Sequence, residues 1–311
     1  MSLHRQRRRK LVSASAGSAL TANTIGLPPA IAANTAPRQA DLARARTRRK
    51  SLAFAAVGLS AIVAAPGVAN AIANGTPVAG DQYQFSTKLT MTNIPRSDGT
   101  VYDSACSGAL VAPQWIITAG HCFHDTSGRR VSGPVPYATT ATVGRTDLTA
   151  TNGYVVDVVE VRQASRHDVA LAKLATPIAD ITPLSVSASS PKTRTILRMT
   201  GWGSTGSVNP TPATHLQTGQ FKITRVTGSS AMVVGYAPAA DTSACLWDSG
   251  APYFTEDTYG TQTLVSVESD GPSCPHSQEE TTARVDRIAD WIRQTSGATI
   301  VSAGRTGGKG R

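Results

Sequence analysis

The 311-residue chain carries 30 Lys and Arg against 20 Asp and Glu, a formal charge of +10. That balance suits a nucleic-acid or membrane-surface binder, but the excess is confined: residues 1–71 hold 11 of the basic side chains and one acid, Asp41, and the remainder holds 19 of each sign. A formally neutral body with no basic stripe and no interleaved aromatics argues against nucleic acid as the partner.

In chain order, the first predicted element is a targeting segment. Arg48-Arg49-Lys50 precedes an apolar run over residues 52–65, then the breaker pair Pro66-Gly67 and the small-residue site Ala69-Asn70-Ala71. A positive n-region, a short apolar stretch and small residues at a cleavage site predict a signal peptide. The run is too short to span a hydrocarbon core of about 30 Å. Residues 1–71 therefore read as a leader, and the product as secreted and extracellular without a membrane anchor. Thr47-Arg48-Arg49-Lys50-Ser51-Leu52 also has the look of a twin-arginine export signal. Residues 1–47 repeat a weaker set, Arg7-Arg8-Arg9-Lys10 with Ala30-Ile31-Ala32, which fits either an extended n-region or an upstream start. Cleavage after Ala71 predicts a mature chain beginning at Ile72; cleavage nearer Ala65 would leave a short pro-segment.

Beyond Ile72 the pattern is one of short β-branched runs separated by Gly, Pro, Asn and Ser, among them Trp115-Ile116-Ile117-Thr118, Tyr154-Val155-Val156-Asp157-Val158-Val159 and Thr263-Leu264-Val265-Ser266-Val267. This predicts an all-β protein. Periodicity alone does not separate a sandwich from a barrel. One helix is predicted over residues 284–294, with Val285, Ile288, Ala289 and Ile292 on one face and Gly297 soon after. Residues 297–311 read as a disordered tail.

Three strings in the body carry chemistry: Thr118-Ala119-Gly120-His121-Cys122, Asp168-Val169-Ala170-Leu171, and Cys245-Leu246-Trp247-Asp248-Ser249-Gly250-Ala251-Pro252, all downstream of Ile72-Ala73-Asn74-Gly75. A hydroxyl is a weak nucleophile at its free pKa. It needs a base within hydrogen-bond reach, and the base needs a third group to fix its tautomer. His121, Asp168 and Ser249 supply the three types, 47 and 81 residues apart, so only a tertiary fold would assemble them. The four cysteines, even in number in an exported chain, suggest a disulfide framework with three possible pairings. They lack the Cys-x-x-Cys spacing of a zinc site, and no acidic cluster points to calcium.

These strings, in this order, resemble the trypsin and chymotrypsin family of serine proteases, in particular its secreted bacterial members. The resemblance covers residues 72 to about 292. It implies two six-stranded antiparallel β-barrels with a C-terminal helix, a domain over 72–296 divided at about 186/187, and a site in the cleft between barrels. It implies a serine endopeptidase working through an acyl-enzyme, with Ser249 as nucleophile, His121 as base and Asp168 as its orienting acid. Further implied are an oxyanion hole from the backbone N–H groups of Trp247 and Ser249, an activating ion pair between the Ile72 ammonium and Asp248, and disulfides Cys106 with Cys122 and Cys245 with Cys274. Protein or peptide substrates, a monomer, and neither cofactor nor metal complete the expectation.

Two departures from the family pattern matter. Its Gly-Asp-Ser-Gly-Gly-Pro string is Trp247-Asp248-Ser249-Gly250-Ala251-Pro252 here, and a Cβ at Trp247 disfavours the backbone angles the hole requires. This keeps open a catalytically silent homologue that binds another protein, while an esterase would use the same triad. The pocket-base position, six before Ser249, is Ser243, so the basic-specific Asp is absent. Glu268 and Glu280 fall near pocket-wall positions and either point inward, favouring basic side chains, or are solvated on a loop. Ser266 matches the serine that supports the catalytic Asp and lines the substrate strand. Thr200-Gly201-Trp202-Gly203 matches a structural turn, and His124, His167, His215 and His276 are expected to be solvated loop residues.

Overall fold

A computed structural model describes residues 72–302. The predicted leader, residues 1–71, and the last part of the predicted tail, residues 303–311, lie outside the described residues.

Twelve of the strands close into two barrels. The first contains β1 (Ser86–Pro95), β2 (Val101–Ala112), β3 (Trp115–Thr118), β4 (Thr139–Val143), β5 (Tyr154–Gln163) and β6 (Ala170–Leu174). Their order is β5-β4-β1-β2-β3-β6, and pairing of β5 with β6 closes the ring. The second contains β7 (Ile196–Gly201), β8 (Gln217–Val226), β9 (Ser230–Ala237), β10 (Pro252–Glu256), β11 (Gln262–Asp270) and β12 (Glu280–Arg284). There the order is β10-β7-β8-β9-β12-β11, closed by β10 against β11. Closure removes the unpaired edges that an open sheet exposes. Inward β-branched and aliphatic side chains fill each ring: Leu89, Leu110, Ile117, Val161 and Leu171 in the first, and Met199, Phe221 and Val233 in the second, none more than 1 % exposed.

The barrels meet through Phe85 and Phe254, packed edge to face at 5.3 Å, and through a buried hydrogen bond between the hydroxyls of Ser86 and Thr200, 2.8 Å. The chain boundary is less simple than a division at 186/187. Thr76–Pro77 pairs with Thr218 and Gln217 of β8, so the segment after Ile72 belongs to the second barrel. Ser185–Ser187 likewise joins the second sheet, parallel to β11.

Two expectations at the C-terminal end are corrected. The helix begins later than residue 284, because β12 runs to Arg284 and the Val285 N–H still donates to the Val265 carbonyl, 3.2 Å. A 3-10 turn, Asp286–Ile288, leads into α1 (Ala289–Ser296), which Gly297 ends in the left-handed conformation at φ 75°. Val285 satisfies the helical apolar spacing yet is a strand-end residue. The tail also remains ordered through Ile300–Val301, which pairs with Val186 and Ser187. Ala298 is buried and Ile300 packs on the same core, which supplies the apolar contact that anchors this segment.

Cys106 is bonded to Cys122 and Cys245 to Cys274. The first closes a 16-residue separation around the turn that carries His121. Replacing Cys106 and Cys122 together by Ser is expected to lower unfolding free energy by about 3 kcal/mol, read as a fall in denaturant midpoint with a somewhat steeper slope, since the unlinked unfolded chain exposes more surface.

Candidate active site

His121 sits in a 3-10 turn, Gly120–Cys122, directly after β3. Three restraints place that turn: the Cys122 disulfide, the Thr118 hydroxyl donating to the Ser107 carbonyl at 2.7 Å, and the Gln163 amide donating to the Gly120 carbonyl at 2.8 Å. Asp168, just before β6, meets His121 twice. It accepts from the His121 backbone N–H at 2.8 Å and lies 2.7 Å from Nδ1. An ionised carboxylate only accepts, so Nδ1 carries the proton and Nε2 is left with its lone pair. Burial alone would raise the Asp168 pKa; the hydrogen bonds from His121 and Ser269 outweigh it and hold the carboxyl below its ordinary range. Arg130 adds a positive charge 3.7 Å from Oδ1, a contact with no sequence signature.

The serine that supports Asp168 is Ser269, whose hydroxyl donates to Oδ2 at 2.8 Å, and not Ser266. Ser266 is fully buried inside the barrel and bonded to the Thr282 hydroxyl. The reason is a β-bulge. Glu268 pairs with Thr282 and Asp270 with Thr281, so Ser269 is an extra residue that the bulge turns out of the ladder. Ser269→Ala is expected to lower kcat/KM about tenfold, the worth of one hydrogen bond to a charged group, whereas Ser266→Ala should change it by less than about twofold. Steady-state kinetics on the two variants checks this.

Ser249 is tied to both barrels. The Ser107 N–H donates to its carbonyl at 2.9 Å, and the next residue, Gly250, donates to the Glu268 carbonyl at 2.8 Å. Gly250 has φ +83°, and a Cβ there would lie 2.1 Å from Thr118 Oγ1, so this position accepts only Gly. Ser249 and His121 line one cavity of about 460 Å³ without a hydrogen bond between them, a looseness common in unliganded sites.

Trp247 adopts φ 74°, the left-handed conformation that a side chain resists at about 1–2 kcal/mol. Its neighbours hold it there. The Leu246 carbonyl accepts the Ser204 N–H at 2.8 Å. Because carbonyl and N–H of a trans peptide point opposite ways, this bond aims the Trp247 N–H away from Ser204. The Ser107 hydroxyl donates to the Trp247 carbonyl at 3.1 Å while accepting the Trp202 N–H at 3.0 Å. Among the described residues, the N–H groups of Trp247 and Ser249 have no protein acceptor.

Ile72 and Asp248 are both fully buried, and the Ile72 N–H donates to the Asp248 carboxylate. Gly203 and Cys245 N–H groups complete the cage at 2.8 and 3.0 Å. Burial pushes the Asp248 carboxyl up to about 7 even though these three donors pull it down.

Of the residues expected to form the substrate pocket, Glu268 lines the cavity, with Ala244, Ser269, Asp270 and Gly271. Ser243, Ser266 and Glu280 lie behind its wall, at 0, 0 and 1 % exposure. Neither glutamate is solvated on a loop. His276, expected in solvent, is also buried; its N–H donates to the Ser243 hydroxyl at 3.2 Å, covering that residue.

Comparison with known proteins agrees with this fold. The chain is 27 % identical to the Suppressor of tumorigenicity 14 protein homolog of Bos taurus over 218 residues, covering 62 % of this chain and 25 % of that protein. It is 25 % identical to the Transmembrane protease serine 11G of Rattus norvegicus over 246 residues, covering 71 % and 54 % respectively. The chain thus spans a quarter to about half the length of these relatives. Among its described residues no helix is long and apolar enough to cross a membrane. A solved structure of HL collagenase shares the fold with a TM-score of 0.55 at 22 % identity, covering 73 % of this chain and all of the other. The Trypsin family model matches residues 72–292, and over that span the chain belongs to the trypsin family.

Proposed function

We propose that this trypsin-family chain is a secreted serine endopeptidase. Ser249 attacks the scissile carbonyl, and His121 takes its proton through Nε2 and returns it to the leaving amine. Asp168, braced by Ser269, stabilises the imidazolium, and water then hydrolyses the acyl-enzyme by the same route. The N–H groups of Trp247 and Ser249 receive the developing oxyanion, a contribution of about 100- to 1000-fold per donor in turnover. The observation that carries this reading is the pinned Leu246–Trp247 peptide. It leaves the two N–H donors without protein partners beside a nucleophile that shares its cavity with an oriented histidine. This favours a working site over a silent binding protein.

We further propose that removal of the leader at Ala71 activates the enzyme. In the uncut chain Asp248 receives only amide N–H groups, and its pKa is raised to about 7. A raised acid stabilises the fold while it is neutral. That contribution is complete below the unfolded value and is lost as pH climbs through about 7. A freed Ile72 ammonium supplies the missing positive charge and reverses the loss. The uncut chain should therefore lose up to about 4 kcal/mol between pH 4 and 7 from this group, and the Ile72-started chain should not. Denaturant midpoints at both pH values test this. Peptide hydrolysis by the Ile72-started chain should exceed that of a chain extended by Asn70-Ala71 by at least about 100-fold, the effect of losing a buried charge partner; equal rates would refute the activation step.

A further inference from the structure

Arg130 reaches the Asp168 carboxylate along a path that the local chain holds open. After the disulfide turn the backbone doubles back as a short hairpin. The Asp125 N–H donates to the Arg129 carbonyl at 2.9 Å, the Val131 N–H to the Phe123 carbonyl at 3.1 Å, and His124 pairs with Arg130 between them. The Asp125 carboxylate closes the turn by accepting the Ser127 and Arg129 N–H groups at 2.9 and 3.1 Å. This ladder returns Arg130 beside the turn that carries His121, with its guanidinium against Gly120. A Cβ on Gly120 would stand 2.7 Å from Arg130 Nη1 and 3.0 Å from its Cδ, so the arginine occupies the space that a side chain there would fill. Nη1 donates to the His167 carbonyl at 2.5 Å, one residue before Asp168, and lies 3.7 Å from Asp168 Oδ1.

The two oxygens of Asp168 divide their partners. Oδ2 meets His121 Nδ1 and the Ser269 hydroxyl, whereas Oδ1 accepts the His121 backbone N–H and faces Arg130. Among the described residues, no Lys or Arg other than Arg130 forms an ion pair with Asp168. The neighbouring charges do not substitute for it. On the hairpin, Arg129 is paired with Asp125 at 3.0 Å. Behind His167, Arg284 is paired with Asp286 at 2.7 Å, with Arg287 nearby. Desolvation, aided by Arg284, lowers the pKa of His167 and keeps that ring neutral. Across the cavity, β11 presents Asp270, which is exposed, while the Glu268 carboxyl is bonded to the buried Tyr253 hydroxyl and held protonated by burial.

A carboxylate hydrogen-bonded to an imidazole favours the imidazolium, and a cation beside that carboxylate opposes it. We infer that Arg130 is a positioning residue that acts through Asp168, fixing the carboxylate against His121 and offsetting part of its charge, so that the imidazole stays a free base further into acid. Peptide hydrolysis at lower pH, the consequence of this effect, rests on the endopeptidase reading. The electrostatic effect itself belongs to the folded site and is measurable without turnover.

The test is the titration of the His121 ring by NMR in folded Ser249→Ala protein, its resonance identified by its loss in His121→Gln. Arg130→Gln should raise the midpoint by about half a pH unit, and Arg130→Glu by more. About 1 M salt should shrink both shifts, because the Arg130 side chain is 31 % exposed. Gly120→Ala keeps the arginine but closes its path, so it should shift the midpoint in the same direction and add nothing to Arg130→Gln. In the unsubstituted catalytic background, Arg130→Gln should lower kcat/KM about threefold on the acid limb and less than about twofold on the alkaline plateau. A midpoint unmoved by Arg130→Gln, a loss of activity equal at every pH, or a Gly120→Ala shift that persists in full without Arg130 would overturn the inference. Failure of a fluorophosphonate to label unsubstituted protein would instead overturn the endopeptidase reading and leave the titration result standing.

Discussion

Ser249→Ala and His121→Ala are each expected to lower peptide hydrolysis by at least about 10⁴-fold, and the double variant by little more than either alone, because groups that act as one unit are strongly non-additive. The expectation follows from the way the site is wired. His121 is held by two contacts to one carboxylate, 2.7 and 2.8 Å, so its free Nε2 has a fixed direction. Ser249 is held by its backbone from both barrels. Neither residue is part of the packed core, so its removal should leave the denaturant midpoint nearly unchanged. Asp168→Asn should also cost about 10⁴-fold in kcat, since an amide in place of the carboxylate favours the wrong imidazole tautomer. Stopped assays over long incubation, with Ser249→Ala as the blank, resolve losses of this size.

The second large effect is expected at Gly203. A Cβ there would lie 2.4 Å from Asp248 Oδ2 and 2.6 Å from the Leu246 carbonyl oxygen. Neither neighbour has room to retreat, because Asp248 is buried in a cage of N–H donors and the Leu246 carbonyl accepts the Ser204 N–H. Gly203→Ala must push the Leu246–Trp247 peptide, the one whose N–H is proposed to receive the oxyanion. Loss of one such donor predicts a fall of about 100- to 1000-fold in kcat with a small change in KM, since the donor acts on the transition state. Ser107→Ala is a milder probe of the same loop. It removes the hydroxyl that bridges the Trp202 N–H and the Trp247 carbonyl, so its effect should have the same kcat character and a smaller size. A variant that raises KM at constant kcat would place Gly203 in substrate binding instead.

What was legible in the sequence divides along physical lines. The candidate triad residues, the cysteines and the strand runs stand out because each depends on residue type and local order, and strings such as Trp115-Ile116-Ile117-Thr118 are strands in the fold. The strain at Trp247 was legible too, since a family Gly replaced by a side chain implies a left-handed backbone, and φ is 74°. The errors arise where three-dimensional registry overrides counting. A bulge shifts the parity of β11, so that Ser269 rather than Ser266 faces Asp168. Val285 has helical spacing but strand hydrogen bonding. His276, Glu268 and Glu280 look like loop polar residues in a Ser- and Pro-rich stretch. The burial of the two glutamates follows from Tyr253, on a different strand, offering a hydroxyl between them, while His276 is held against buried Ser243, whose hydroxyl accepts its backbone N–H. Nothing in the local sequence signals that meeting, nor the approach of Arg130 to Asp168.

The most direct test of the central claim is to treat the folded, Ile72-started protein with a fluorophosphonate and locate the adduct by mass spectrometry. Such a reagent needs an activated serine and a formed oxyanion hole together, so it reads both halves of the site at once. The account predicts a single adduct on Ser249, absent from Ser249→Ala and strongly slowed in His121→Ala. Intact protein with both disulfides formed and no label on Ser249 would contradict it.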